Sequence, residues 1–150
     1  MNPIRRSWMA GLLLLAGLGA AYAEDDVEAK AKAGDAKAQC EMGNRCHKGQ
    51  GVPKDKAQAA AWFQKAADQG DAQAQCNLGL CHVKGEGVAK DPAEAVKWFQ
   101  KAADQAYPEA EGYLGNCYEK GFGVGKDLSE GVKWFRKAAE HGDAKAQCAF

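Results

Sequence analysis

The sequence predicts an all-α fold: an α-solenoid of antiparallel helix pairs, with three full repeats and a truncated fourth. Three observations predict it. The chain repeats itself every 36 residues, each copy carries apolar positions at helical spacing broken by glycine, and strand-like alternation is absent throughout. The unit Gly34 to Gln69 reads GDAKAQCEMGNRCHKGQGVPKDKAQAAAWFQKAADQ. The unit Gly70 to Gln105 reads GDAQAQCNLGLCHVKGEGVAKDPAEAVKWFQKAADQ and agrees with it at 23 of 36 positions, so the two copies share one structure. A third unit, AYPEAEGYLGNCYEKGFGVGKDLSEGVKWFRKAAEH, fills Ala106 to His141, and a fourth begins as GDAKAQCAF over residues 142–150.

The chain opens on a different pattern. Arg5 and Arg6 precede the leucine-rich run Gly11 to Gly19, and Ala21-Tyr22-Ala23 supplies a small-residue cleavage site before Glu24. That arrangement predicts a signal peptide over residues 1–23 and a periplasmic or secreted product. A membrane anchor needs about 20 apolar residues, and the stretch from Trp8 to Tyr22 is shorter, so no stable membrane insertion is expected after cleavage. Residues 24–33 then form a lead-in helix or cap to the solenoid of residues 34–150.

Within each unit the punctuation defines two helices. In the second, Asp71 caps the first helix, whose Ala74, Leu78 and Gly79 fall on one side. The loop Gly85-Glu86-Gly87-Val88 ends it. Asp91 caps the second helix, with Pro92 in its first turn where a missing N–H costs little. Ala95, Trp98, Phe99 and Ala102 give that helix an apolar stripe. One hairpin cannot bury such a stripe, so the units must stack. Trp62, Trp98 and Trp134 recur with the period and read as packing residues. The Gly-x-Gly-Val loops lack a following Gly-Lys-Ser/Thr and read as turns, not phosphate cradles.

Composition narrows the chemistry. Lysine and arginine balance aspartate and glutamate at 20 each, and removing the first 23 residues takes away two arginines and no acid, leaving a charge of minus two. This offers no basic surface for nucleic acid. Beyond the leader Ser129 is the only serine, and threonine is absent. Six cysteines in a small exported chain read as a disulfide framework. Residues five apart on a helix lie about 8.6 Å apart at Cα, beyond disulfide reach. Cys76 and Cys81 therefore do not pair, and bonds must join different units. The simplest scheme links Cys46 to Cys76 and Cys117 to Cys148, leaving Cys40 and Cys81 over. A zinc site from Cys46, His47, Cys81 and His82 competes with it, but short-spaced cysteine pairs are missing and Tyr118 replaces histidine in the third unit. A redox role for the leftover thiols lacks the Cys-x-x-Cys that depresses a thiol pKa. No cofactor is expected.

The segments GDAQAQCNLG, GEGVAKD and AVKWFQKAADQ, with their counterparts in the other units, resemble the Sel-one-like repeat, a relative of the tetratricopeptide repeat. The resemblance runs from Gly34 to the C-terminus. It implies a right-handed superhelix with a concave face, and a role in holding other proteins, often in bacterial envelopes. Two departures stand out. Ala106-Tyr107-Pro108 replaces Gly-Asp-Ala at the third unit, so that junction is expected to bend differently. Cysteine-rich secreted members pair a cysteine late in the second helix with one early in the next repeat, whereas Ala67, Ala103 and Ala139 occupy the late positions here.

On that frame the first helices line the concave face. A helical wheel places Asn44, His47, Leu80, Val83, Asn116 and Glu119 opposite the packing positions, as the residues expected to contact a protein or peptide partner. The rival reading is a hydrolase or binding protein directed at β-lactams or the cell wall, which the resemblance permits for cysteine-rich members. A serine acyl-enzyme of the Ser-x-x-Lys type is not available, because Glu130, Gly131 and Val132 follow Ser129. An interaction scaffold without catalysis is the expected function. Chain recovered from outside the cytoplasm should begin at Glu24 by N-terminal sequencing; a start at Met1 would overturn export by cleavage.

Overall fold

The computed structural model describes residues 26–142. The expected leader and residues 143–150, Cys148 among them, lie outside the described residues. After helical residues 26–32 come α1 (Ala36–Lys48), α2 (Lys56–Asp68), α3 (Ala72–Lys84), α4 (Pro92–Ala103), α5 (Pro108–Lys120) and α6 (Leu128–His141). Each helix packs on the one before and the one after, giving three stacked hairpins, and no strand occurs among the described residues.

The helix ends follow from the residues that punctuate them. Asp35 and Asp71 accept the backbone N–H of Ala38 and Ala74 at 2.7 Å, capping α1 and α3. Asp55, Asp91 and Asp127 do the same for the second helices, accepting from Gln58, Glu94 and Glu130 at 2.9–3.0 Å. Such caps contribute about 1 kcal/mol each. The first helices stop at Gly49, Gly85 and Gly121, where φ is near +70°. Only glycine takes that conformation without cost, and its N–H returns to the last turn. The loops then close alike, through Asp55 N–H to Cys46 O, Asp91 N–H to His82 O and Asp127 N–H to Tyr118 O, at 2.9–3.0 Å.

Two kinds of close approach lock hairpin and stack. Within each hairpin a phenylalanine ring of the second helix packs directly against a glycine of the first. A Cβ built at Gly43, Gly79 or Gly115 would come within 2.5–2.7 Å of the ring of Phe63, Phe99 or Phe135. Between hairpins, the second loop glycine seats on the start of the preceding unit's second helix: a Cβ at Gly87 would strike the Lys56 carbonyl, and one at Gly123 the Pro92 carbonyl. Alanines fill the remaining contacts, with Ala59, Ala66, Ala74, Ala95, Ala102, Ala110 and Ala138 wholly buried. Trp98 and Trp134 are buried as expected, and Trp62 packs against the core from its edge. Lys65, Lys101 and Lys137 lie over these three rings at 3.9–4.5 Å.

A ladder of amides runs alongside. Gln39 and Gln75 donate to the carbonyls of Ala31 and Ala67 in the preceding segment at 3.1–3.2 Å, and each accepts from Gln69 or Gln105 at 2.7–2.9 Å. The third unit breaks the pattern. Glu111, 1% exposed, stands in the glutamine's place and accepts from His141 Nδ1 at 2.8 Å. Its carboxylate has no N–H to send back to the second unit. Here too Ala106 adopts φ 56°, taking the left-handed turn that Gly34 and Gly70 make elsewhere. For alanine that conformation costs about 1–2 kcal/mol. Tyr107 supplies no side-chain cap to α5.

The stapling scheme finds no support in the described residues. Cys40, Cys46, Cys76, Cys81 and Cys117 are all free, buried thiols, so the expected Cys46–Cys76 bond is not formed. Position along the helix explains it. Cys46, in the last turn of α1, faces its own hairpin, with Sγ 3.2 Å from Gln58 Oε1, and packs with Cys40 and Cys81. Cys76, in mid-helix, belongs to the next core with Cys117. The proposed partner of Cys117 lies outside the described residues.

The glycine–phenylalanine contact yields a direct test. Gly79→Val forces a branched side chain into the space of Phe99, itself 1% exposed, and overpacking of this kind costs about 1–3 kcal/mol. Chemical denaturation should show that loss, and adding Phe99→Ala should cost less than the two single losses combined. Strict additivity would mean that the two side chains do not compete for one space.

Candidate functional site

Because the units superpose, residues 36 apart face equivalent junctions, and the junctions can be compared position by position. At the first, between the lead-in segment and unit one, a cleft of about 360 Å³ is lined by Glu28, Glu41, Met42, Arg45, Gln50, Gly51 and Val52. Arg45 and Glu41 pair across one helical turn at 3.2 Å, and Glu28 adds a second carboxylate, so the cleft is polar.

The second junction, between units one and two, is clasped by polar contacts. Asn77 donates to Asn44 Oδ1 at 3.3 Å, joining α3 to α1. Glu86, in the loop after α3, reaches back to unit one, where Lys56 Nζ lies 2.7 Å from one oxygen and His47 Nε2 3.0 Å from the other. The hydrogen bond from Lys56, then that from His47, holds the Glu86 carboxyl down at about 2.

At the third junction every clasp residue changes type. Tyr113 stands where Asn77 stood, and Phe122 where Glu86 stood. On the unit-two side Leu80 and Val83 replace Asn44 and His47. Nothing there can form the clasp, and a groove of about 480 Å³ opens between α3 and α5. It is lined by Leu80, Val83, Lys84, Phe99, Tyr113, Asn116, Cys117, Lys120 and Phe122. Tyr113 stacks on the buried Phe99 with centroids 5.1 Å apart. Lys84 and Lys120, the last residues of α3 and α5, are the two charged side chains of the lining.

The sequence-expected contact residues divide accordingly. Leu80, Val83 and Asn116 line this groove. Asn44 and His47 are engaged in the clasp, and Glu119 is exposed on α5 outside the lining. Tyr113, Phe122 and the two lysines were not anticipated. The signal that could have found the two aromatics is departure from the repeat at a fixed register, Glu41 and Asn77 giving way to Tyr113, and Gln50 and Glu86 to Phe122; the lysines recur at that register as Lys48, Lys84 and Lys120 and carry no such signal.

The other chemistry weighed from the sequence does not assemble. His47 turns to Glu86 and His82 Nδ1 to the Ala89 carbonyl at 3.2 Å, so neither joins Cys46 and Cys81. Among the described residues no three His, Cys, Asp or Glu side chains converge on a metal-holding geometry. Burial pushes the thiols up, Cys40 and Cys76 to about 12 and Cys81 and Cys117 to about 11. Nearby Asp71, Glu109 and Glu86 raise the first three further, so these thiols are poor nucleophiles at neutral pH. No helix of the described residues is long and apolar enough to cross a membrane.

Stacked helical hairpins with an open groove between first helices define a helical-repeat solenoid, a class commonly used as a protein-interaction scaffold. The chain belongs to the Sel1 repeat family, which matches residues 36–71, 72–107 and 108–143. Among solved structures it is similar to a Sel1 repeat protein from Oxalobacter formigenes, at 37% identity and TM-score 0.74 over 83% of this chain and 93% of that one. It is also similar to a protective antigen with an SLR fold from uropathogenic Escherichia coli, at 34% identity and TM-score 0.68, over 81% of this chain and 34% of the antigen. Helicobacter pylori cysteine-rich protein B shares the fold at 24% identity, with TM-score 0.67 over 83% of this chain and 95% of that one. No curated protein matches significantly.

The clasp makes stability depend on acid. Its carboxyl is depressed in the folded chain, so its contribution is full above the unfolded value of about 4.3 and is lost as pH falls toward 2. Between pH 5 and pH 2 the native chain should lose more stability, by denaturant titration, than the Glu86→Gln variant. Equal acid losses would mean that the clasp does not form in solution.

Proposed function

We propose that the chain is an exported interaction scaffold, without chemistry of its own, that holds a protein partner on its first-helix face. The observation that carries this reading is the third junction, where the repeat is kept in its packing positions and changed in its surface ones. Gly115, Leu114 and Ala110 preserve the buried contacts of Gly79, Leu78 and Ala74. Tyr113 and Phe122 abandon the polar types used at the other junctions and line an open groove. Apolar area left open between conserved supports is what a binding surface requires. The leader-like residues 1–23 support export into the periplasm or beyond. Ser129 is exposed in the first turn of α6 and is not among the residues lining the groove, which gives the hydrolase reading no site there.

The test is site-specific photocrosslinking in the native envelope fraction. A photoreactive residue in place of Asn116, on the first-helix face, should capture a discrete protein. The same residue in place of the exposed Lys97, on a second helix, should not. Capture from position 97 alone would move the binding surface to the opposite face.

A further inference from the structure

Resting on that reading, we infer that the groove between units two and three takes a peptide segment in which one large apolar side chain is flanked by carboxylates. The apolar half follows from the walls. Leu80 and Val83 face Tyr113 and Phe122 across a floor made by Phe99, and the volume of about 480 Å³ exceeds what one side chain fills. The charged half follows from Lys84 and Lys120, since the lining contains no acid. Neither lysine makes an ion pair with another described residue, and Lys84 acts on Glu86 only through space, as the smallest of the influences that hold its carboxyl down. Nor is either needed to finish its helix, because the backbone N–H groups of Gly85 and Gly121 already occupy the carbonyls of Cys81 and Cys117. The nearest acid in the adjoining loop, Glu86, is neutralised by Lys56 and His47 from the other side.

The contrast between junctions supports the assignment. At the third junction Phe122 stands in the place of Glu86, and Pro92 and Val83 in the places of Lys56 and His47, so the cations there are Lys84 and Lys120, and no acid of the lining faces them. A partner that brings an apolar anchor with its own carboxylates supplies both missing parts. Charge of this kind sets which segment enters and how fast, while the buried anchor sets how long it stays.

The probe is a fluorescein-labelled peptide with one phenylalanine flanked on each side by two glutamates, titrated with the purified full chain and read by anisotropy. It should bind saturably, and weaken as salt rises. A counterpart with lysines for glutamates, or with glycine for phenylalanine, should bind at least about tenfold more weakly. The double variant Lys84→Glu, Lys120→Glu should lose at least about tenfold, and Leu80→Asp a similar amount. His47→Ala, which opens the clasp at the other junction, should leave binding within about twofold. Melting curves establish that each variant folds; should Leu80→Asp fail to fold, the two exposed lysines carry the test. Absence of saturable binding, equal binding of the acidic and basic peptides, or indifference to the lysine reversals would each overturn the inference. Photocrosslinking separates this failure from failure of the scaffold reading. A partner captured at position 116 but insensitive to the lysine reversals leaves the scaffold standing and removes this ligand class. Capture only from the second-helix face removes both.

Discussion

The structure depends on three rings lying on three glycines. Phe63, Phe99 and Phe135 each rest where a Cβ on Gly43, Gly79 or Gly115 would stand, so the two helices of every hairpin approach at one fixed distance. Once that distance is set three times over, the alanines between neighbouring hairpins are buried, and the loops fall in register to seat Gly87 and Gly123 on the preceding unit. The caps and turns supply ends for the helices. The glycine–phenylalanine contact supplies the spacing on which the stack is built.

A scaffold fixed in this way frees its other positions to vary. The second junction uses that freedom to bind unit to unit, through Glu86, Lys56, His47 and the Asn44–Asn77 pair. The third uses it to leave a surface open, with aromatic side chains where the clasp would be. Both outcomes arise from the same backbone positions. In a repeat protein, function therefore lies in the difference between copies, while the copies' agreement describes only support.

That division also explains what could be read in advance. The repeat, the hairpins, the aspartate caps at Asp55, Asp91 and Asp127 and the buried tryptophans follow from local chemistry, and the sequence states them three times. Of the six residues expected on the partner-facing side, half fall together in the structure. Leu80, Val83 and Asn116 line the groove, but Asn44 and His47 are consumed by partners 33 and 39 residues away, a pairing no helical wheel contains. The expected Cys46–Cys76 bond failed for a related reason. Counting positions brings Cys46 and Cys76 into neighbouring units, yet the last turn of α1 points Cys46 back at Gln58, while mid-helix Cys76 enters a different core.

The substitution of Glu111 into the amide ladder has a mechanical consequence. Gln39 and Gln75 each tie their unit to the segment before it, and Glu111 spends its hydrogen-bonding capacity on His141 within its own unit. The joint between units two and three therefore lacks the amide rung as well as the clasp, and it is made through Ala106 at φ 56°. In a stack where load passes only between neighbours, bending concentrates at the joint with the fewest directional ties. By these directional ties the joint between units two and three is less fastened than the joint before it, and it runs beside the open groove.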